Sequence, residues 1–195
     1  MSGLRARKKA RTRSAIQREA LRLFRERGYA ATTVEQISDA ADVSPSTFFR
    51  YFPGKEDLLL LDEHHSLADA VTRAFAAQPP QLPAVAALRV AIRTALADLP
   101  PTDRAARLER DAALVAIPEL WSANLGLLVR ALDQLDELVA RRAGRDPRDA
   151  AVRALTGAVL GVTVRVFLDA ANDPGVEPAT ALDEALALLE AGLPT

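Results

Sequence analysis

Six side chains between positions 44 and 55 carry hydrogen-bonding chemistry suited to a polyanion: Ser44, Ser46, Thr47, Arg50, Tyr51 and Lys55. An arginine fork can bond a guanine edge with two parallel N–H groups. Serine and threonine hydroxyls reach bases or phosphates, and Tyr51 and Lys55 suit phosphate oxygens. Catalytic chemistry has no comparable cluster. The two histidines, His64 and His65, are neighbours on an expected helix and point about 100° apart, so they cannot grip one metal as an i, i+4 pair would. Surface placement is their expected setting. No Ser/His/Asp set, phosphate-binding loop or dinucleotide glycine motif occurs. No metal or cofactor is expected, and the chain is not expected to be an enzyme.

Such side chains act together only if one helix presents them. Residues 32–58, TTVEQISDAADVSPSTFFRYFPGKEDL, describe two short helices joined by a tight turn. Thr32 or Thr33 can cap the first. Val34, Ile37 and Ala41 recur at i, i+3 and i+7 as its buried face. Asp42 stands where the chain must turn and tolerates the left-handed conformation. Ser44 caps the second helix, and Pro45 occupies its first position, where a missing N–H costs nothing. Phe48 and Phe52 share the inward face, which leaves Ser46, Thr47, Arg50 and Tyr51 outside. Pro53-Gly54 ends the helix. This is the pattern of a helix-turn-helix whose second helix enters a major groove.

The stretch resembles the DNA-binding domain of TetR-family (tetracycline-repressor-like) regulators. The matching residues are Ala20 to Phe24, Gly28-Tyr29, Thr32-Thr33-Val34, Ile37, Val43-Ser44, Thr47-Phe48, Tyr51-Phe52 and Lys55 to Leu58, within a resemblance covering residues 12–61. It implies a recognition helix over Ser44 to Phe52. It also implies DNA contacts from Thr33, Pro45, Ser46, Thr47, Phe49, Arg50 and Tyr51, with Lys55 on a phosphate. Two positions depart from the family pattern. Asp42 replaces the usual turn glycine, and Phe49 stands where many members carry a tyrosine hydroxyl.

Charge agrees with that reading once the chain is divided. The whole chain has a net charge of −1. Residues 1–57 carry 12 basic and 7 acidic side chains, a surplus of five positive charges, and the remainder carries a surplus of six negative ones. The first thirteen residues hold Arg5, Arg7, Lys8, Lys9, Arg11 and Arg13 with no acid. They lack the apolar stretch of a signal peptide. They read as a disordered basic arm that adds salt-dependent phosphate contacts or enters a minor groove, against the plainer reading of a solvated tail.

The 195 residues are 49% hydrophobic, with no cysteine, which excludes disulfides and thiolate metal sites and fits a reducing cytoplasm. The longest apolar run, Ala154 to Leu168, is interrupted by Thr156, Thr163 and Arg165, so no membrane span is expected. Twelve prolines punctuate the chain. Because proline is excluded from helix interiors, the intervals after the turn motif read as helices near 54–77, 83–99, 102–116, 118–143, 147–172 and 179–192. No strand alternation appears. The expected fold is all-α with about nine helices. It comprises a basic arm (1–11), a three-helix helix-turn-helix domain (12–57) and a helical ligand-binding and dimerisation domain (58–195).

The helix near 147–172 is apolar almost all round: Val152, Leu155, Val159, Val162 and Val166 on one side, Leu160, Val164, Phe167 and Leu168 on the other. Such a helix must be covered twice, and a second copy of the chain can supply one cover. Gly157 and Gly161 would allow close helix approach, within the chain or between chains. Leu182, Ala185, Leu186 and Leu189 form a stripe on the last helix. TetR-like proteins dimerise through their last two long helices, and segments 147–172 and 179–192 correspond. A two-fold dimer would read a palindromic operator.

The middle of the chain offers aliphatic lining and few polar groups. By the resemblance it encloses a small-molecule effector, with Arg89, Arg93, Trp121, Asn124, Leu128 and Arg165 as candidate ligand residues. Aliphatic lining with one or two arginines suits a long apolar ligand with an anionic end. The segment Asp42 to Phe52 is also similar to actinobacterial TetR-type regulators of the mycofactocin-associated, acyl-CoA-responsive group. The expected function is a cytoplasmic, homodimeric repressor released by an acyl-CoA-like or other apolar effector. The alternative is an architectural or division-related DNA-binding protein on the same fold with no effector.

Overall fold

A computed structural model describes residues 2–59 and 67–192. Among the described residues the chain forms nine α-helices, one 3-10 turn and no strand, the all-α architecture expected. The helices are α1 (Ser2–Arg27), α2 (Val34–Ala40), α3 (Pro45–Tyr51), α4 (Leu67–Ala76), α5 (Ala84–Ala97), α6 (Pro101–Ala116), α7 (Pro118–Ala143), α8 (Ala150–Asn172) and α9 (Pro178–Glu190); the 3-10 turn is Glu56–Leu59. Where the sequence anticipates one helix near 54–77, the described residues form the 3-10 turn and α4. His64 and His65 lie outside the described residues.

Two compact units result. The first comprises Met1–Leu60 and Ile117–Ala123, the second Leu61–Ala116 and Asn124–Thr195. The start of α7, residues Ile117–Ala123, groups with the first unit, and Leu120 there is completely buried.

The core of the first unit comes from periodic positions on short helices. Ile16, Ala20, Leu23 and Phe24 form the inner stripe of α1, and Ile37, Phe48, Phe52 and Leu58 close it. Gly28 takes φ of 83°, and its N–H bonds the Phe24 carbonyl, so α1 ends in a left-handed cap. Residues 2–11 are a correction: they are the first turns of α1 and not a disordered arm. Arginine, lysine, alanine and leucine are good helix formers, and no proline interrupts them.

In the second unit α4 packs on α5, α5 on α9, α9 on α8, and α8 on α6. Phe75, Leu88, Val139, Val152, Val159 and Leu186 are among its buried centre. Leu96, Leu108, Ala112 and Phe167 make a second cluster. Side chains at helix starts refine the proline-based limits. Asp149, two residues beyond Pro147, caps α8 by accepting from the Ala151 N–H, and Glu177 caps α9 by accepting from Ala179 and Thr180. The Arg142 guanidinium donates to the carbonyls of Gln78, Pro79 and Leu82 and lies 5.1 Å from the Phe75 ring centroid. One side chain thus satisfies the loop between α4 and α5.

α8 also corrects the sequence reading. By length and composition alone it is apolar enough to cross a membrane, its most apolar 18-residue stretch having a mean hydropathy of 1.6. Its inner face is nonetheless that of a packed helical core. Val152, Val159 and Val166 are buried, and the Thr156 hydroxyl donates to the buried Asp136 carboxylate.

Candidate nucleic-acid interface

The helix-turn-helix is fixed by its caps. Thr33 and Gln36 form a reciprocal box: the Gln36 N–H donates to Thr33 Oγ1 (3.3 Å), and the Thr33 N–H donates to Gln36 Oε1 (3.1 Å). Thr32 is instead buried, its hydroxyl on the Gly28 carbonyl at 2.8 Å. The turn then places Asp42 at φ of 53°, the left-handed conformation anticipated for it. The Val43 N–H closes back on the Ser38 carbonyl at 3.0 Å. Ser44 Oγ accepts from the Thr47 N–H and starts α3 with Pro45 in its first turn.

Phe48 and Phe52 are buried under α3, their ring centroids 5.7 Å apart. That packing fixes which side chains face out. Pro45, Ser46, Phe49 and Arg50 are exposed, while Thr47 and Tyr51 are half-buried. Ser44, Ser46 and Thr47 form a hydroxyl chain with spacings of 2.9 and 3.0 Å. Arg50 makes no side-chain hydrogen bond among the described residues; its guanidinium carbon lies 5.5 Å from the Tyr51 ring centroid. Phe49, 53% exposed, rests edge-on against Phe48 and offers a bare aromatic edge where a hydroxyl would otherwise stand.

Lys55 has a second duty that sequence reasoning missed. Its ammonium donates to the carbonyls of Tyr29 (2.7 Å) and Thr32 (3.0 Å) and lies 4.2 Å from the Tyr29 ring centroid. Two of its three donors brace the loop before α2, leaving one for a phosphate. Arg13 is likewise inward, 4.6 Å from the Phe52 ring centroid, with an N–H on the Tyr51 carbonyl.

Because α1 continues to Ser2, its basic start flanks the recognition helix. Lys8, Lys9 and Thr12 from α1 join Val43, Thr47, Arg50 and Tyr51 around an open trough of about 640 Å³. No sequence signal pointed to this trough, since an arm read as disordered has no position.

The candidate effector residues divide. Arg89 and Arg93 meet at a pocket of about 110 Å³ between α5, α6 and α9, together with Arg104 and Asp183. There Arg89 grips Asp183 with two bonds of 2.8 and 2.9 Å and approaches Glu190 at 3.3 Å. Arg165 is elsewhere. It is exposed, pairs with Asp169 one turn along at 2.7 Å, and borders a shallow depression. Trp121 groups with the N-terminal unit, Asn124 is buried, and Leu128 is half-buried. None of these three borders the arginine pocket.

Comparison with known proteins gives these arrangements a family. Residues 16–61 match the profile of bacterial regulatory proteins of the tetR family, and residues 82–194, more than half of the chain, match the MftR C-terminal domain. The chain is 38% identical over 143 residues to the HTH-type transcriptional regulator TcmR of Streptomyces glaucescens. That alignment covers 72% of this chain and 61% of TcmR, so the match spans about three-fifths of that relative. The fatty acid degradation regulator FadR from Bacillus halodurans superposes with a TM-score of 0.66 at 21% identity, covering 93% of this chain and 96% of that one. FadR from Thermus thermophilus, a TetR-family repressor solved in complex with lauroyl-CoA, gives a TM-score of 0.52 at 28% identity, covering 94% and 95%. With an exposed, capped recognition helix and an MftR-type C-terminal domain, the chain belongs to the TetR family and is a DNA-binding transcriptional regulator.

Proposed function

We propose that the protein is a cytoplasmic homodimeric repressor that binds a palindromic operator and is released by a small, largely apolar effector. The carrying observation is the outer face of α3, where Ser46 and Arg50 stand exposed with unused hydrogen-bonding capacity above a fixed aromatic base. In the groove Arg50 reads a guanine edge, Phe49 meets a thymine methyl, and Ser46, Thr47 and the Thr33 hydroxyl bond bases or phosphates. Pro45 and Tyr51 border the backbone, and Lys55 gives its remaining N–H to a phosphate. Lys8 and Lys9 extend the phosphate track along α1.

Dimerisation through α8 and α9 is supported by what those helices leave uncovered. Only 28% of the most apolar stretch of α8 is buried. Gly157 and Gly161 are exposed, and a Cβ at either would meet nothing within 4 Å. On α9, Leu188 is 54% exposed. An effector of the acyl-CoA class is supported by the lauroyl-CoA complex of the Thermus thermophilus relative and by the aliphatic character of the C-terminal unit. The regulator acts by binding, without catalysis.

Selection of bound fragments from a GC-rich genomic library at two salt concentrations, with molar mass from light scattering, tests this reading. A shared palindrome and a two-chain mass are expected. Fragments with no common motif, lost at the higher salt, would reduce the protein to a non-specific DNA binder of the architectural kind.

A further inference from the structure

We infer that the pocket between α5, α6 and α9 is an oxyanion site, taking a carboxylate or phosphate group on a short alkyl stem, with Asp183 as a built-in competitor. This deepens the effector reading above, on which it rests only for the consequence and not for the binding itself.

Three guanidiniums line one cavity. Arg89 is already engaged, its Nε and Nη2 on the two oxygens of Asp183 and its Nη1 on Glu190. Arg93 and Arg104 make no side-chain hydrogen bond among the described residues. Arg93 approaches Asp183 only at 3.7 Å, beyond hydrogen-bonding distance. Among the described residues Arg104 makes no side-chain hydrogen bond or close ion pair, and it feels Glu177 only at longer range. Each guanidinium presents a fork of donors matched to a carboxylate or phosphate. The charged groups on the lining are therefore three cations against the single anion Asp183, with Glu190 and Glu177 flanking.

The remaining wall is apolar: Ile92 and Leu96 from α5, Ala179 and Leu186 from α9. The volume of about 110 Å³ is several times the roughly 10–15 Å³ that one water needs, enough for a small oxyanion and its first carbons. Asp183 already shows the geometry such an anion would adopt, a carboxylate accepting two parallel bonds from Arg89. An incoming anion takes the unbonded N–H groups of Arg93 and Arg104 and competes with Asp183 for Arg89. Displacing Asp183 loosens α9 from α5. Since α9 is one of the two helices assigned above to the dimer, occupancy at this pocket would reach the spacing of the two recognition helices.

The test uses the full-length protein and calorimetric titration at constant ionic strength with sodium hexanoate, sodium acetate, inorganic phosphate and neutral hexanol. Saturable binding of hexanoate but not of hexanol is expected. The double variant Arg93→Gln/Arg104→Gln, altered at sites outside the buried core, should bind at least about tenfold more weakly. Asp183→Asn, which removes the competitor while keeping the shape, should bind several-fold more tightly, and circular dichroism would verify its fold. Phosphate matching hexanoate assigns the site to a bare oxyanion; hexanoate well ahead of acetate and phosphate assigns it to an alkyl carboxylate. Equal hexanoate affinity in wild type and the arginine double variant overturns the inference, as does equal binding of hexanol. Operator binding by the same samples without anion is recorded separately, so loss of the anion site with intact DNA recognition counts against this inference alone.

Discussion

The outer faces of α3 and α8 are two ways of leaving a helix unfinished. Both helices bury one side: Phe48 under α3, and Val152, Val159 and Val166 under α8. What they leave outside differs in kind. α3 exposes hydrogen-bonding capacity in Ser46 and Arg50, which water satisfies until a better partner arrives. α8 exposes Ala154, Gly157 and Gly161 beside half-buried Leu160, Val164 and Leu168, surface that water does not satisfy. A polar face can wait in solvent at little cost and is suited to reversible recognition. A small, apolar face is suited to lasting contact, where close backbone approach multiplies dispersion. The first therefore fits a partner that comes and goes, the second a permanent one.

Five experiments, four on altered faces and one on pH, probe that contrast. The largest effect is expected from Phe48→Ala. Emptying a fully buried aromatic position should cost about 3–5 kcal/mol, enough to unfold the N-terminal unit and abolish DNA binding; denaturant melts would show it. Retained operator affinity in that variant would mean that the face of α3 does not depend on its base. Next comes Gly157→Leu or Gly161→Leu. A Cβ at either position meets nothing within 4 Å and both positions are exposed, so the protomer should stay folded, while overpacking of about 1–3 kcal/mol at each of two related sites should weaken the dimer on the order of a hundredfold. Light scattering across a dilution series decides this, and an unchanged dimer would move the interface elsewhere.

Arg50→Ala should lose about 1–3 kcal/mol of base discrimination, read as relaxed preference at one operator position in a binding-site selection. Replacing Lys8 and Lys9 with Gln should weaken binding to every sequence alike and lower the salt-dependence slope by about one for each phosphate no longer neutralised. A changed sequence preference would instead place α1 against base edges.

The smallest effect concerns pH. The hydrogen bonds from Arg89 hold the Asp183 carboxyl below its ordinary range, with smaller help from Arg93. A depressed carboxyl stabilises the fold above its unfolded pKa and loses that contribution as pH falls through the lowered value. Asp183→Asn should therefore lower the Tm at neutral pH and flatten its decline on acidification. Parallel Tm curves for the two proteins would show that the pair adds nothing to stability.

Local features of the fold are legible in the sequence because they have local causes. Ser44-Pro45 before an apolar pair, Asp42 at the turn and the prolines bounding α5, α6, α7 and α9 act within a few residues and leave a signature there. The roles of Arg142 and Lys55 and the pairing of Arg89 with Asp183 are not legible in this way. Each joins residues 23 to 94 positions apart, and a charged side chain reaching a distant carbonyl or carboxylate has no periodicity. The same reason separates the candidate sites. The face of α3 is set by one heptad of sequence and emerges as a group. The effector candidates stand out in sequence only as polar residues amid apolar ones, and the structure gathers Arg89 and Arg93 while scattering Trp121, Leu128 and Arg165. The start of α1 departs from expectation because a run of like charges suggests disorder, although its residues individually favour helix.

The unbroken run of α1 has a practical consequence for handling the protein. Lys8 borders the trough beside Arg50, and at 1.5 Å of rise per residue it stands only about 9 Å along the axis from Ser2. Anything fused ahead of Ser2 would be carried on α1 to the mouth of the trough beside Arg50, the face proposed above to meet DNA. A purification tag placed there, above all an acidic or metal-chelating one, would compete with the operator. A tag at the other terminus, or one cleaved to leave a single added residue, would report the protein's own affinity.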